Sequence, residues 1–449
     1  MPTQLAPSFS FAPKFLSPKL IRRRRRRGKM TPDWASLPGE LVDLIGWNVL
    51  AGGNLHDYVR FRAVCSHWSA TTTNPHGRGV ADRRFHPRRW MMLPEGDGLY
   101  PGHPSLRGHA RFLNLSTGAI VRSPHLPLLL SGDHVILDSV DGLLLLHGDA
   151  DTAIRLLNPL TGDAVDLPPL DSLLPQRGAE ENKRRRVMKV CTSIAVNSTG
   201  TITVMLTLFH LQRVVAYATA GVDQRWTLST WELKHFIKPI SFQGKSYALR
   251  FLSCDRRKAY IYQFNPPCPD AEEGLSHLSS AVKIAEFPLR TFLYFLNFVE
   301  CDKELLLVAY EDNSRSKLLV YRLADLVRGK IEPIASIGDH TLFLGERSLC
   351  VSHSAYKGRR SFPDILPNFI ICMHTLQKYP GSEGPARFEQ YDLGTGIWTP
   401  ASDGDIFERP PPRPPYTHPP YLYLLNKGFM YSCDINPTWL VKQDLRFGA

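Results

Sequence analysis

Residues 140–170 read VDGLLLLHGDADTAIRLLNPLTGDAVDLPPL, and the reading of this stretch decides the fold. Leu143–His147 is a short apolar run held between two turn signals, Asp141-Gly142 and Gly148-Asp149. Runs of that length between such dipeptides are strands rather than helices. Ala153–Asn158 repeats the texture on the C-terminal side and His134–Ser139 on the N-terminal side. Asn158-Pro159 and Thr161-Gly162 then read as a turn between strands, a marker of fold rather than of chemistry. The same texture continues through Thr192–Asn197, Thr201–Leu208 and Arg213–Thr219, with Ser198-Thr199-Gly200 as a turn. Ala259–Phe264, Glu304–Tyr310, Lys317–Arg322, Phe369–His374, Phe388–Leu393 and Tyr421–Leu425 follow. Short strands at even spacing argue an all-β fold that starts near Pro87. They spread over too long a stretch for one sandwich. A propeller of about 40–50 residues per blade accommodates them in roughly six or seven blades.

The N-terminal side has a different period. Residues 37–68 read LPGELVDLIGWNVLAGGNLHDYVRFRAVCSHW. Pro38 suits a first helical turn. Leu41, Leu44, Ile45 and Val49 follow at spacings of three and four, an apolar stripe of an amphipathic helix. Gly52-Gly53 stops that helix, and Asn54 caps a second one carrying Leu55, Tyr58 and Val59. A third short stripe holds Val64, Cys65 and Trp68. Segments below about 40 residues rarely close a core alone. These helices must therefore bury apolar surface against the rest of the chain or against another protein.

Length and composition bound the remainder. The chain has 449 residues, 43% hydrophobic and 21% charged, an ordinary globular balance with room for two or three domains. The net charge of +12 suggests nucleic acid until it is located. Nine of the 54 Lys and Arg lie in residues 1–32, which hold no Asp or Glu, so the remainder carries 45 basic against 42 acidic residues. The basicity belongs to a Pro-, Ser- and Arg-rich tail expected to be disordered. Arg22–Arg27 within it reads as a nuclear import signal, a nucleic-acid arm, part of a transit peptide or a solvated extension. The eight cysteines show no CxxC and no Cys/His pairing of the zinc-ribbon or zinc-finger kind. With no secretory signal they are expected as reduced thiols in the nucleus or cytoplasm. No apolar run approaches the length of a membrane span.

The sequence carries no recognisable catalytic motif. Gly244-Lys245-Ser246 ends like a phosphate loop, but Pro239 stands where its first glycine belongs, and a strand turn fits better. HExxH, GxSxG and GxGxxG are absent, and the 16 histidines are dispersed. Lys183–Arg186 reads as an exposed loop, Arg409–Pro420 as a stiff polyproline loop with RxxPxxP spacing, and residues 70–86 as a polar connector. Trp226, Trp231 and Trp398 lie among strands, either as packing between blades or facing a ligand. The expectation is no catalytic residue, no cofactor and no metal.

Two resemblances add to these readings. Leu37-Pro38, Leu41 and Ile45, then Val59-Arg60-Phe61-Arg62-Ala63-Val64-Cys65 and Trp68, resemble an F-box. That resemblance implies a three-helix hook docking on the Skp adaptor of a cullin-RING (SCF) ubiquitin ligase. Its expected contacts are Leu37, Pro38, Leu41, Ile45, Val59, Val64, Cys65 and Trp68. The DGLLLL, LLNPLTG and LPPL segments of residues 140–170 resemble a blade of plant F-box-associated propellers. Phe343-Leu344-Gly345, Leu366-Pro367-Asn368-Phe369-Ile370 and Tyr391-Asp392-Leu393-Gly394-Thr395-Gly396 resemble the KIB-type propeller. Arg88–Pro94 is similar to the strand that opens that domain. The expected organisation is a basic tail (1–32), an F-box (33–73), a linker (74–86) and a KIB-type β-propeller (87–447). The expected role is non-catalytic: a substrate receptor binding the Skp adaptor and, through the propeller, a target protein. The alternatives are a scaffold with a degenerate F-box, a nucleic-acid-binding protein using its basic tail, and an enzyme hosted on the propeller. The last would need titratable groups converging at one mouth of the channel.

Overall fold

The computed structural model describes residues 34–51, 55–92, 109–114, 120–123, 125–130, 134–148, 152–173, 190–208, 214–229, 236–252, 255–265, 281–288, 296–311, 316–344, 348–353, 366–375, 386–400 and 423–424. Arg22–Arg27, Lys183–Arg186, Trp231 and Arg409–Pro420 lie outside the described residues. Three helices come first: α1 (Gly39–Ala51), α2 (Leu55–Arg62) and α3 (Ser66–Thr71). Among the described residues no helix is long and apolar enough to cross a membrane.

Six sheets follow among the described residues. The first holds β1 (Trp90–Met92), β2 (Arg111–Asn114) and β3 (Ile120–Arg122). A short helix, α4 (Pro127–Leu130), leads to the second, β4 (His134–Val140), β5 (Leu143–Gly148), β6 (Ile154–Leu157) and β7 (Ala164–Leu167). The third holds β8 (Val190–Val196), β9 (Ile202–Leu208), β10 (Val214–Thr219) and β11 (Thr227–Leu228). The fourth is β12 (Phe236–Phe242), β13 (Lys245–Leu252), β14 (Asp255–Phe264) and β15 (Val282–Pro288). The fifth is β16 (Asn297–Cys301), β17 (Glu304–Tyr310) and β18 (Leu318–Arg322), followed by α5 (Leu323–Val327). The sixth holds β19 (His340–Leu344), β20 (Leu349–Ser352), β21 (Phe369–Thr375), β22 (Ala386–Asp392) and β23 (Trp398–Pro400). A last strand, β24 (Tyr423–Leu424), pairs antiparallel with β1 and brings the chain back to the first sheet.

Sheets two to four are antiparallel meanders in sequence order, whereas in the sixth β21 joins β19 in parallel. Tight turns set the registers. Asp141 and Gly142, both at positive φ, close the β4–β5 hairpin with Val140 opposite Leu143. Gln243-Gly244 turns β12 into β13, so Lys245 and Ser246 open a strand rather than a phosphate loop.

The sheets are arranged in a propeller-like succession, each buried against the next. Every residue of β5 is buried, and its leucines divide between two cores. Leu144 and Leu146 pack with Trp90, Met92 and Phe112 of the first sheet. Leu143 and Leu145 pack with Ile194, Val204 and Leu206 of the third. Alternate side chains point to opposite faces of a strand, so a strand between two sheets must be apolar at every position. In β9, Leu206 faces the second sheet while Met205 meets Ala248 and Phe264 of the fourth. In β17, Leu305 and Leu307 face the fourth sheet; Leu306 and Val308 face the sixth.

Polar links cross the same boundaries. Asp138 accepts from the Thr192 backbone N–H at 2.6 Å, and the Trp226 indole donates to the Pro168 carbonyl at 2.8 Å. Trp226 is therefore a packing residue between sheets. Trp398 packs against Tyr391 and donates to the Ser316 carbonyl at 2.8 Å.

Leu306→Ala should lower stability by about 2–5 kcal/mol, because the cavity opens between two sheets. Val282→Ala, at an exposed position of β15, should change it by under about 0.5 kcal/mol. Urea unfolding followed by tryptophan fluorescence separates the two.

Candidate functional site

The helical unit is built around Val42, Gly46 and Leu50 of α1, Leu55 and Tyr58 of α2, and Trp68 of α3, all buried. A Cβ at Gly46 would meet Tyr58 Cε2 and Phe61 Cε1 at 3.2 Å, so glycine there lets α2 lie close to α1. Trp68 packs on Phe61 with ring centroids 4.4 Å apart, and its indole donates to the Trp34 carbonyl at 3.1 Å. Cys65 caps α3, its sulfur accepting from the Trp68 N–H. His67 Nε2 lies 2.9 Å from the Leu37 carbonyl and ties the Leu37-Pro38 entry to α3.

The first helix has two apolar faces. The stripe of Leu41, Leu44 and Ile45 points outward, and the inner face is Val42, Gly46 and Leu50. Relative exposures are 47% for Leu41, 57% for Leu44, 37% for Ile45, 44% for Val59, 61% for Val64 and 61% for Trp34. Spacings of three and four put Leu41, Leu44 and Ile45 on one face. Pro38 is also exposed, and Leu37 and Cys65 are half-buried. Trp68 departs from the expected contacts: it is buried, and it shapes the unit rather than lining its surface. Each exposed aliphatic in the group would gain about 1 kcal/mol on full burial.

The inner face is continuous with the sheets through the connector. Residues 74–86, expected as a polar linker, instead carry buried Val80 and Phe85. Phe85 lies in one aromatic cluster with Trp47 and Tyr58, and Arg84 stacks over Trp47 at 3.9 Å. Leu160, from the β6–β7 turn, packs against the same group. Asn158 in that turn is fully buried. Its side-chain amide donates to the carbonyls of Gly79 (2.8 Å) and Phe85 (3.2 Å), and its Oδ1 accepts from the N–H groups of Leu160 and Thr161. The two oxygens of Asp163 accept from the N–H groups of Gly77 and Gly79 at 2.9 and 2.8 Å. A Cβ at Gly79 would fall 2.1 Å from Thr161 Oγ1, so only glycine allows this approach. Asp141 adds charge. Burial pushes its carboxyl upward, but His86 and the guanidinium groups of Arg88 and Arg83 outweigh that and hold it well below the usual carboxylate range. The backbone of the connector is thus held by side chains of the second sheet, and the segment is part of the fold.

A second grouping lies where the fifth sheet meets the sixth. Cys301 at the end of β16, His340 on β19 and Cys350 on β20 bring their donor atoms within 4.8 Å of one another. The Cys350 thiol donates to Cys301 Sγ at 3.0 Å. His340 Nδ1 lies 2.9 Å from the Ile337 carbonyl, and Nε2 lies 2.9 Å from Asp302 Oδ2. Arg89 donates to the other Asp302 oxygen at 2.7 Å. The Cys350 hydrogen bond, with His340 assisting against burial, lowers the Cys301 thiol to about 6. The Cys301 partner raises His340 to about 9, again against burial. The sequence gives no sign of this cluster, since its members come from different strands at spacings that match no metal motif.

Residues 112–395 match the KIB1-4 beta-propeller family. The chain belongs to that family. Its propeller is of a kind suited to protein interaction. No curated protein matches the chain. Similar solved structures include a puromycin hydrolase, at 12% identity and TM-score 0.32, with 71% of this chain and 45% of that chain covered. Another is a Mycobacterium tuberculosis puromycin-hydrolyzing peptidase, at 9% identity and TM-score 0.29, with 75% of this chain and 56% of that chain covered. The chain spans about half the length of these structures.

Asn158→Ala should lower stability by about 2–4 kcal/mol, because two buried carbonyls lose their donor. It should also open the connector to trypsin at Arg78, Arg83 or Arg84, which limited proteolysis with mass mapping would detect.

Proposed function

We propose that the chain is a substrate-receptor subunit of an SCF-type ubiquitin ligase. Its helical unit docks on the Skp adaptor, and its propeller holds the target protein. The observation that carries this reading is the outward apolar stripe of Leu41, Leu44 and Ile45 on a unit anchored by its opposite face. The stripe coincides with the F-box resemblance at Leu41 and Ile45, and Val59 and Val64 are exposed in the same unit. Docking is of the helix-in-groove kind, with apolar anchors carrying the energy. Trp68 supports the face from within.

The mechanism is positional. A receptor that grips adaptor and target together turns an encounter between target and ubiquitin-loaded enzyme into an event within one complex, raising effective concentration without chemistry of its own. The anchored connector matters here, because a fixed joint aims the target and a loose tether does not. Target choice rests on loops between strands. The assembly works in the nucleus or cytoplasm, and the chain contributes no catalytic group or cofactor to the transfer of ubiquitin. A scaffold with the same hook but no adaptor is the second reading, distinguished by the same experiment.

The full chain should capture purified Skp adaptor, and Leu41→Asp and Ile45→Asp should each weaken capture at least about tenfold, one desolvated charge costing well over 1.4 kcal/mol. Val222→Asp, at an exposed site in the third sheet's loop, should leave capture unchanged. Equal capture by all four proteins would overturn the assignment of the face. No capture by the folded parent would favour the scaffold.

A further inference from the structure

We propose that Cys301, Cys350 and His340 form a binding site for a soft divalent metal ion of the zinc class, which fastens the fifth sheet to the sixth. Two sulfurs and an imidazole nitrogen are the donor set zinc prefers, and here they converge within 4.8 Å from three strands of two sheets. The three residues are buried or half-buried, so the donors meet in a partly dry boundary. Two Zn–S bonds of about 2.3 Å at a tetrahedral angle place the sulfurs about 3.8 Å apart. The thiols stand at 3.0 Å, so they need to part by less than about an ångström, within reach of side-chain rotation.

The surroundings have the form of an outer shell. His340 commits Nδ1 to the Ile337 carbonyl, which leaves Nε2 as the nitrogen for a metal and holds the ring in place. Asp302 Oδ2, 2.9 Å from Nε2, is an oxygen beside the cluster that could serve a fourth position. The Arg89 hydrogen bond to its other oxygen orients that carboxylate. The sixth sheet ends at β20, which carries Cys350. An ion there would tie an edge strand to the neighbouring sheet and make metal binding a contribution to folding stability. This role is independent of adaptor docking, because the cluster shares no residue with the helical unit.

The test is a cobalt titration of the reduced full chain, with Co²⁺ as the spectroscopic probe and Zn²⁺ as the competitor. The expected result is one Co²⁺ per chain with thiolate-to-cobalt charge-transfer and tetrahedral d–d absorption, both removed by stoichiometric Zn²⁺. Zinc should also raise the unfolding midpoint of the parent protein. Cys350→Ser and His340→Ala should each weaken Co²⁺ binding by more than about 100-fold, beyond the loss expected for an outer-shell partner. Cys65→Ser should bind as the parent does. Absence of the cobalt spectrum in folded, reduced parent protein would overturn the proposal. So would an unchanged spectrum in Cys350→Ser, or a Cys301–Cys350 disulfide in protein alkylated at lysis.

Discussion

The side-chain amide of Asn158 is the contact on which the arrangement of this molecule depends. From inside the β6–β7 turn it shapes its own loop through Leu160 and Thr161, and through Gly79 and Phe85 it grips a segment more than 70 residues earlier. A buried amide leaves little freedom, because each unmet partner would cost about 1–3 kcal/mol. Asp163 repeats the grip on Gly77 and Gly79, and Leu160 carries the apolar contact to the helices. The joint between helices and sheets is therefore a set of directional bonds with the Asn158 amide buried at its centre, which explains how a helical unit too small to stand alone is ordered.

That joint also accounts for which face of the unit remains open. With Val42, Gly46 and Leu50 buried on the inner side, Leu41, Leu44 and Ile45 are left exposed among the described residues. A helix apolar on two sides is stable in water when one side is covered by its own chain and the other awaits a partner. The proposed docking of an adaptor follows from this division.

The strands were legible because their chemistry is local. Leu143–Leu146 between Asp141-Gly142 and Gly148-Asp149 announces a short strand, and burial against sheets on both sides explains why all four positions are leucine. The turn character of Gly244-Lys245-Ser246 was legible for the same reason. The stripe on α1 was visible in its spacing, but periodicity alone cannot tell a face that packs from one that waits, and Gly46 gives no apolar signal although it marks the packed side. The connector was opaque because its backbone is held by Asn158 and Asp163 and its Arg83 by Asp141, contacts of long sequence separation. The Cys301, His340 and Cys350 cluster was opaque because metal motifs are recognisable only when one short segment supplies the ligands. Membership of the KIB1-4 beta-propeller family, over residues 112–395, agrees with the part of the chain whose signals were local.

The most direct test of the proposed role is hydrogen–deuterium exchange on the full chain with and without purified Skp adaptor. Docking on the outer helical face predicts new protection in Gly39–Ala51 and Leu55–Arg62, with exchange in the six sheets unchanged. Protection confined to loops of the sheets, or none at saturating adaptor, would contradict it.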